Sequence, residues 1–237
     1  MKDHIVTAFD TELKSLAHSI EEMGTLARQS VMIAVGALDL RSPDLAGQVT
    51  AIDEQIDALQ REIEESGILV IARRQPVAFD LREVVCALRI SNDIERIGDL
   101  ANNIAKRVVA LGKTPAPHPL VSGLEGLSAL VVERLDLVLE AFVARDPDKA
   151  LGIWSSDTSV DDLYTSVFRG ILTYMMEDPR NITPCTQLVF VAKNLERIGD
   201  HVSNIAEAVH YAATGALLDE PRPGHADAVG EPEVVAG

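Results

Sequence analysis

The chain has 237 residues, long enough for one large or two small domains. Lysine and arginine number 21 against 37 aspartates and glutamates, and the resulting charge of −16 repels phosphate backbones, which excludes a general nucleic-acid binder. Apolar residues make up 47% of the chain and aromatics only 4%, a balance that favours packed helices over a β sandwich.

Apolar residues recur at helical spacing almost throughout. Breakers at Arg41-Ser42-Pro43-Asp44, Arg74-Gln75-Pro76, 112–119, Arg145-Asp146-Pro147-Asp148 and 178–184 divide the chain into six predicted helices, 4–40, 44–73, 78–111, 119–145, 148–177 and 183–214. The second carries the stripe Val49, Ile52, Ile56, Leu59, Ile63; the third carries Ile90, Ile94, Ile97, Ala101, Ile104, Val108. Steps of three and four place each set on one face of a helix in a bundle. A helix of ~30 residues is about 45 Å long, so these are rods that pack side by side. After Gly215 the chain turns rich in Pro, Gly and acid, and 216–237 reads as a disordered acidic tail. The longest apolar stretches fall far short of the ~20 residues of a membrane span, the polar start has no secretory pattern, and Cys86 and Cys185 suit a reducing compartment. These features together indicate a soluble intracellular protein. Each cysteine lies near a helix start and reads as a small buried apolar residue.

An internal repeat organises the chain. Glu95-Arg96-Ile97-Gly98-Asp99 in the third helix recurs as Glu196-Arg197-Ile198-Gly199-Asp200 in the sixth, 101 residues later, and Asn-Ile-Ala follows both copies at the same distance. Helices two and five also correspond, Asp53-x-x-Ile56-Asp57-x-Leu59 matching Asp157-x-x-Val160-Asp161-x-Leu163 at an offset of 104. The expected architecture is therefore all-α: two tandem, pseudo-symmetric three-helix bundles at 1–112 and 119–215, joined by a linker at 113–118.

The repeat carries carboxylates. With ~100° per residue and Glu95 at zero, Asp99 lies near 40°, Asn92 near 60° and Asn103 near 80°, opposite Ile97 and Ile104. Glu196, Asp200, Asn204 and Glu207 form the matching stripe, and Asp53/Asp57 and Asp157/Asp161 are acidic pairs at the same spacing. Any one pair taken alone reads better as the solvated face of an amphipathic helix. Like charges four apart cost a helix roughly 0.2–0.5 kcal/mol per pair, however, and here the cost recurs at equivalent places in both halves. A cation between facing helices would remove it. The candidate metal ligands are thus Glu95, Asp99, Glu196, Asp200, Asp53, Asp57, Asp157 and Asp161. This oxygen-only set suits Mg²⁺, Mn²⁺, Ca²⁺ or iron better than a structural zinc site, with Zn²⁺ retained among the candidate ions.

Glu207-x-x-His210 hints at a carboxylate-bridged storage or oxidase bundle, but its counterparts are Lys106 and Val109, so the second copy that such a centre needs is missing. His201, whose counterpart is Leu100, reads as incidental. Gly98 and Gly199 lie inside helices, where glycine costs ~1 kcal/mol relative to alanine, and close helix–helix approach explains them. No Walker loop, dinucleotide fingerprint, Gly-x-Ser-x-Gly elbow or Cys-x-x-Cys pair is present, and nothing in the sequence argues for catalysis.

The two Glu-Arg-Ile-Gly-Asp copies, with the run Ile71–Arg82 and its counterpart Tyr174–Pro184, resemble the PhoU family of bacterial phosphate-uptake regulators from the first helix to about Gly215. The resemblance implies two symmetrical three-helix bundles and metal binding at Glu95/Asp99 and Glu196/Asp200, with the helix-two and helix-five pairs matching a looser pattern. It implies a non-enzymatic negative regulator that links the ATPase subunit of the phosphate-specific ABC transporter to a sensor histidine kinase. A cytoplasmic homodimer, attached peripherally to the membrane through partners, is the implied form. An acidic surface is poorly suited to binding anionic lipid directly.

Overall fold

The computed structural model describes residues 2–40, 42–112, 117–156 and 158–218. It contains seven α-helices: α1 Lys2–Leu40, α2 Pro43–Arg74, α3 Phe79–Leu111, α4 His118–Ala144, α5 Pro147–Ser155, α6 Thr158–Glu177 and α7 Ile182–Thr214, with a 3₁₀ turn at Pro179–Asn181. The periodic residues make the core as expected. Val49, Ile52, Ile56 and Ile63 of α2 are buried, as are Ile90, Ile94, Ile97, Ala101, Ile104 and Val108 of α3, while Leu59 is partly buried against them.

The helix ends follow from local chemistry. Pro43 opens α2, Arg73 and Arg74 stand in its last turn, where the macrodipole favours cations, and Gln75 caps it at a φ of 52°. Arg74 also donates from Nε and Nη2 to the Glu12 carboxylate at 2.9 and 2.8 Å, tying the end of α2 to α1. Asp146 caps α5 by accepting from the backbone N–H groups of Asp148 and Lys149. Gly215, in the left-handed region at a φ of 74°, ends α7 with its N–H on Tyr211 O.

Helices α1, α2 and α3 pack mutually, and so do α4, α5–α6 and α7. The two halves do not stand apart, however. α3 lies along α7 in the most extensive helix pairing of the molecule, and α1 lies on α4. Arg107 stacks on Phe190 at 4.5 Å while Arg89 stacks on Tyr211 at 5.9 Å, so the α3–α7 pairing is antiparallel. α1, α3, α7 and α4 thus form a central four-helix ring, with α2 on one flank and α5–α6 on the other. One continuous apolar core runs through both halves.

The predicted fifth helix, 148–177, is corrected: it is two helices, α5 and α6. The cause is a buried arginine on α4. Arg134, only 4% exposed, donates from Nη2 to Ile153 O at 2.6 Å and from Nη1 to Ser156 O and Ser159 Oγ, adding a charged donor to carbonyls at the end of α5 that also accept from Ser156 and Ser159. Periodicity carries no trace of a side chain arriving from another helix. Cys86 and Cys185 are free and buried, as anticipated.

Replacing Arg134 with Met removes the charged donor from these carbonyls and should lower stability by roughly 2–3 kcal/mol in urea unfolding, since hydrogen bonds to charged groups are worth about 1.5–3 kcal/mol. An unfolding midpoint equal to that of the parent would show that the α5–α6 break does not depend on the guanidinium.

Candidate metal-binding faces

Glycine sets how closely the flanking helices approach. A Cβ on Gly98 of α3 would lie 2.9 Å from Ile56 Cδ1 and 3.2 Å from Asp53 Oδ1 of α2; one on Gly199 of α7 would lie 3.0 Å from Val160 Cγ1 of α6. The expectation of close approach therefore holds in both halves. It also brings the α2 carboxylates onto those of α3.

In the first half Asp53, Asp57, Glu95 and Asp99 meet between α2 and α3. Burial raises the Glu95 carboxyl above its ordinary range, Asp99, Asp57 and Asp53 raise it further, and Arg96 opposes them. Asp53 is also raised, first by burial, with Asp99 and Asp57 adding to the effect and the Asn102 hydrogen bond opposing it. Asn102 donates to Asp53 Oδ2 at 2.6 Å and accepts from Thr50 Oγ1 at 3.0 Å, fixing the carboxylate between the two helices. Arg96 lies along the outer edge, with Nη1 donating to Asp99 Oδ2 at 3.2 Å and Nε 3.4 Å from Glu95 Oε2.

In the second half Asp161 lies on α6 and Glu196 and Asp200 on α7, helices that approach at Gly199 and Val160, while Asp157 lies outside the described residues. Lys193 donates to Glu196 Oε1 at 2.7 Å and stands over the Tyr164 ring at 5.5 Å. Burial raises the Tyr164 hydroxyl above its usual range, against the pull of Lys193 and with a small addition from Glu196.

Three oxygens bear on whether a cation fits. Asp53 Oδ1, Glu95 Oε2 and Glu196 Oε2 are buried without a hydrogen-bond donor. A buried acceptor lacking a donor is costly, and a hard cation would satisfy it. Glu95 and Glu196 are repeat equivalents, so both halves carry a glutamate oxygen without a hydrogen bond, although Glu95 Oε2 has the Arg96 guanidinium 3.4 Å away. Among the described residues no group of three or more His, Cys, Asp or Glu side chains is arranged to hold a metal ion as it stands.

Three expectations about neighbouring residues need correction. The amide that contacts the first face is Asn102, not Asn103. Asn204, assigned to the second carboxylate stripe, instead donates to Asp93 Oδ1 at 3.3 Å in the α3–α7 contact. His201 is not incidental: its Nδ1 lies 2.8 Å from Asp93 Oδ1, joining the halves. The signal for this was in the repeat, since Asp93 and His201 both depart from their copies, Asn194 and Leu100. His210, of the Glu-x-x-His element, has Nδ1 3.4 Å from Pro147 O, beside the start of α5. A feature that motif reading passed over is a cavity of about 540 Å³ lined by Leu16, Phe79, Cys86, Phe142 and Val209. At its edge Arg145 pairs with Glu83 at 2.6 Å, and burial holds the Glu83 carboxyl above its usual range despite that partner.

The molecule is thus a duplicated helical bundle that turns one acidic face outward from each half. The PhoU domain family model matches it twice, at residues 20–108 and 124–209, one match in each half. The chain belongs to the PhoU family. It is 51% identical over 220 residues to the phosphate-specific transport system accessory protein PhoU homolog of Rhizobium meliloti, covering 93% of both chains. It is 36% identical to the phosphate-specific transport system accessory protein PhoU of Escherichia coli K12, covering 91% of this chain and 89% of that one. A crystal structure of PhoU from Pseudomonas aeruginosa superposes with a TM-score of 0.81 at 38% identity, covering 88% of this chain and all of that one. The phosphate transport system regulatory protein PhoU from Streptococcus pneumoniae gives a TM-score of 0.82 at 30% identity over 90% of this chain and 100% of that chain.

Two predictions follow from this geometry. Gly199→Ala forces a methyl against the stiff Val160 side chain and should cost about 1–2 kcal/mol, whereas Gly126→Ala, in exposed α4 with open space around it, should stabilise by up to ~1 kcal/mol. Chemical denaturation of the two variants checks the contrast. The raised Glu95 carboxyl means that the folded, metal-free protein binds this proton more tightly than the unfolded chain. Its penalty is therefore complete above the folded pKa and disappears as pH falls toward the unfolded value. In chelator at neutral pH, Glu95→Gln should be more stable than the parent by roughly 0.5 kcal/mol or more, and the difference should shrink on acidification. A difference that grows as pH falls would contradict the assigned cause.

Proposed function

We propose that this protein is a negative regulator of phosphate uptake and phosphate-starvation signalling, an adaptor whose partner-binding shape is set by cations on its two carboxylate faces. The observation that supports the metal part is the recurrence, in both repeats, of a buried glutamate oxygen that makes no hydrogen bond, on helices that carry further carboxylates. The regulatory part is supported by family membership and by relatives named as accessory proteins of the phosphate-specific transport system. The partners are the ATPase subunit of the phosphate ABC transporter and a sensor histidine kinase, and the protein acts as a cytoplasmic homodimer without catalysis. Among the described residues no helix is long and apolar enough to cross a membrane, which agrees with attachment through partners.

The faces bind Mg²⁺, Mn²⁺, iron or Zn²⁺ through Glu95 and Asp99 with Asp53 and Asp57, and through Glu196 and Asp200 with Asp157 and Asp161. When bound, the cation neutralises mutual repulsion. The chain's own part is to hold α2 against α3 and α6 against α7, so that the ligands arrive already paired.

The variant Glu95→Gln/Asp99→Asn/Glu196→Gln/Asp200→Asn should remain helical, lose metal in elemental analysis of unchelated protein, and bind the transporter ATPase and the sensor kinase more weakly in pull-downs. A folded variant with parental metal content refutes the site assignment. Parental partner binding with metal absent separates the adaptor role from the cation.

A further inference from the structure

The cavity of about 540 Å³ at one end of the central ring owes its space to small residues that the repeat does not share. α3 and α7 correspond at an offset of 101, and α1 and α4 at an offset of 104, which brings Leu16, Ile20 and Met23 onto Leu120, Leu124 and Leu127, buried in both copies. Under these offsets the cavity residues Ala87, Ala212 and Ala17 have as their copies Leu188, Leu111 and Val121, all buried at the opposite end of the ring. Leucine and valine fill that end, and alanine leaves this one open. A core gives up side-chain volume only with a loss of stability, and the loss falls on one end alone. The open end also holds charge. Glu83, its side chain 15% exposed, lines the cavity, and Arg145, 63% exposed, approaches from the rim with Nη2 2.6 Å from Glu83 Oε1 while standing over the Phe79 ring at 5.9 Å. The ion pair engages one oxygen of a carboxylate that can accept at both.

We propose that this cavity is a binding site for a small amphipathic amine, whose apolar body takes the space left by Ala87, Ala212 and Ala17 and whose ammonium pairs with Glu83. The volume lies within the ~300–1,000 Å³ of small-molecule pockets, and the lining is mainly apolar, with Leu16, Cys86 and Val209 buried at its floor. Glu83 selects the head group. Burial keeps its carboxyl above the ordinary range even with Arg145 beside it, so the negative charge is incompletely compensated there. An ammonium completes the compensation, whereas a carboxylate head adds a like charge. The other charged groups that line the cavity, Lys14 and Glu21 of α1, are more exposed, and solvent screens them. The walls come from α1 and α3 of the first half and from α4 and α7 of the second, so a bound molecule touches both halves. The site is independent of the carboxylate faces and of any cation on them.

The test titrates decylamine, 1-decanol and decanoate, each below its micellar concentration, into the full chain by isothermal titration calorimetry. Decylamine should bind one molecule per chain, about tenfold more tightly than decanol, with decanoate weaker still. Ala87→Leu/Ala212→Leu, which copies the residues of the other end, should abolish this binding while the chain stays folded by circular dichroism. Should the double variant fail to fold, Ala212→Leu alone, at a half-buried position, serves the same purpose. A chain of charge −16 also gathers amines on its surface, but the filled variant keeps that charge. If it binds decylamine as the parent does, the cavity is not the site and the proposal fails. Glu83→Gln should weaken decylamine by about tenfold and leave decanol unchanged. Decylamine affinity unmoved by that exchange, equal affinity for the three head groups, or no binding of decylamine to the unmodified chain each overturns the proposal.

Discussion

The arrangement on which the rest depends is a carboxylate drawn out of water beside other carboxylates. Such a group raises the energy of the folded protein unless something arrives to satisfy it. Asp53 and Glu95 show the effect directly, each raised first by burial and then by its acidic neighbours. Helices carrying larger residues at Gly98 and Gly199 could not come this close. The apolar seams force the helices together, and the acidic faces ride along with them. The fold therefore stores a modest electrostatic strain on the α2–α3 flank.

The central ring of α1, α3, α7 and α4 explains how two flanks can belong to one device. Had the halves been beads on a linker, a change at one face would have stayed there. Instead α3, which carries Glu95 and Asp99, lies antiparallel along α7, which carries Glu196 and Asp200, through the Asp93–His201 contact and the Arg107–Phe190 and Arg89–Tyr211 stacks. A shift of either helix against its flanking partner must be accommodated in a shared core that is close-packed.

Much of this was legible in the sequence because it is periodic. The stripes Val49–Ile63 and Ile90–Val108 specify which faces are buried, and the exact return of Glu-Arg-Ile-Gly-Asp specifies duplication. Gly98 and Gly199 announced close contact because nothing else justifies glycine inside a helix. What stayed hidden depends on residues from different helices meeting. Arg134 ends α5 from outside it, Asn102 rather than Asn103 reaches Asp53, and Asn204 turns away to Asp93. A helical wheel resolves angle about one axis and has no information about which neighbour stands at that angle. The Asp93–His201 contact could have been suspected only by noticing that both residues break the repeat.

That break has a wider meaning. Had the same fold been assembled from two identical chains, every side chain would appear on both sides of the twofold axis, and a charged contact near the middle would occur twice. Joining the copies covalently releases them from this obligation. The place of Asp93 and His201 is taken on the other side by Asn194 and Leu100, so the centre carries its acid–imidazole contact once. Such a molecule has a left and a right: its two ends share an outline but differ in chemistry, so they need not serve the same purpose.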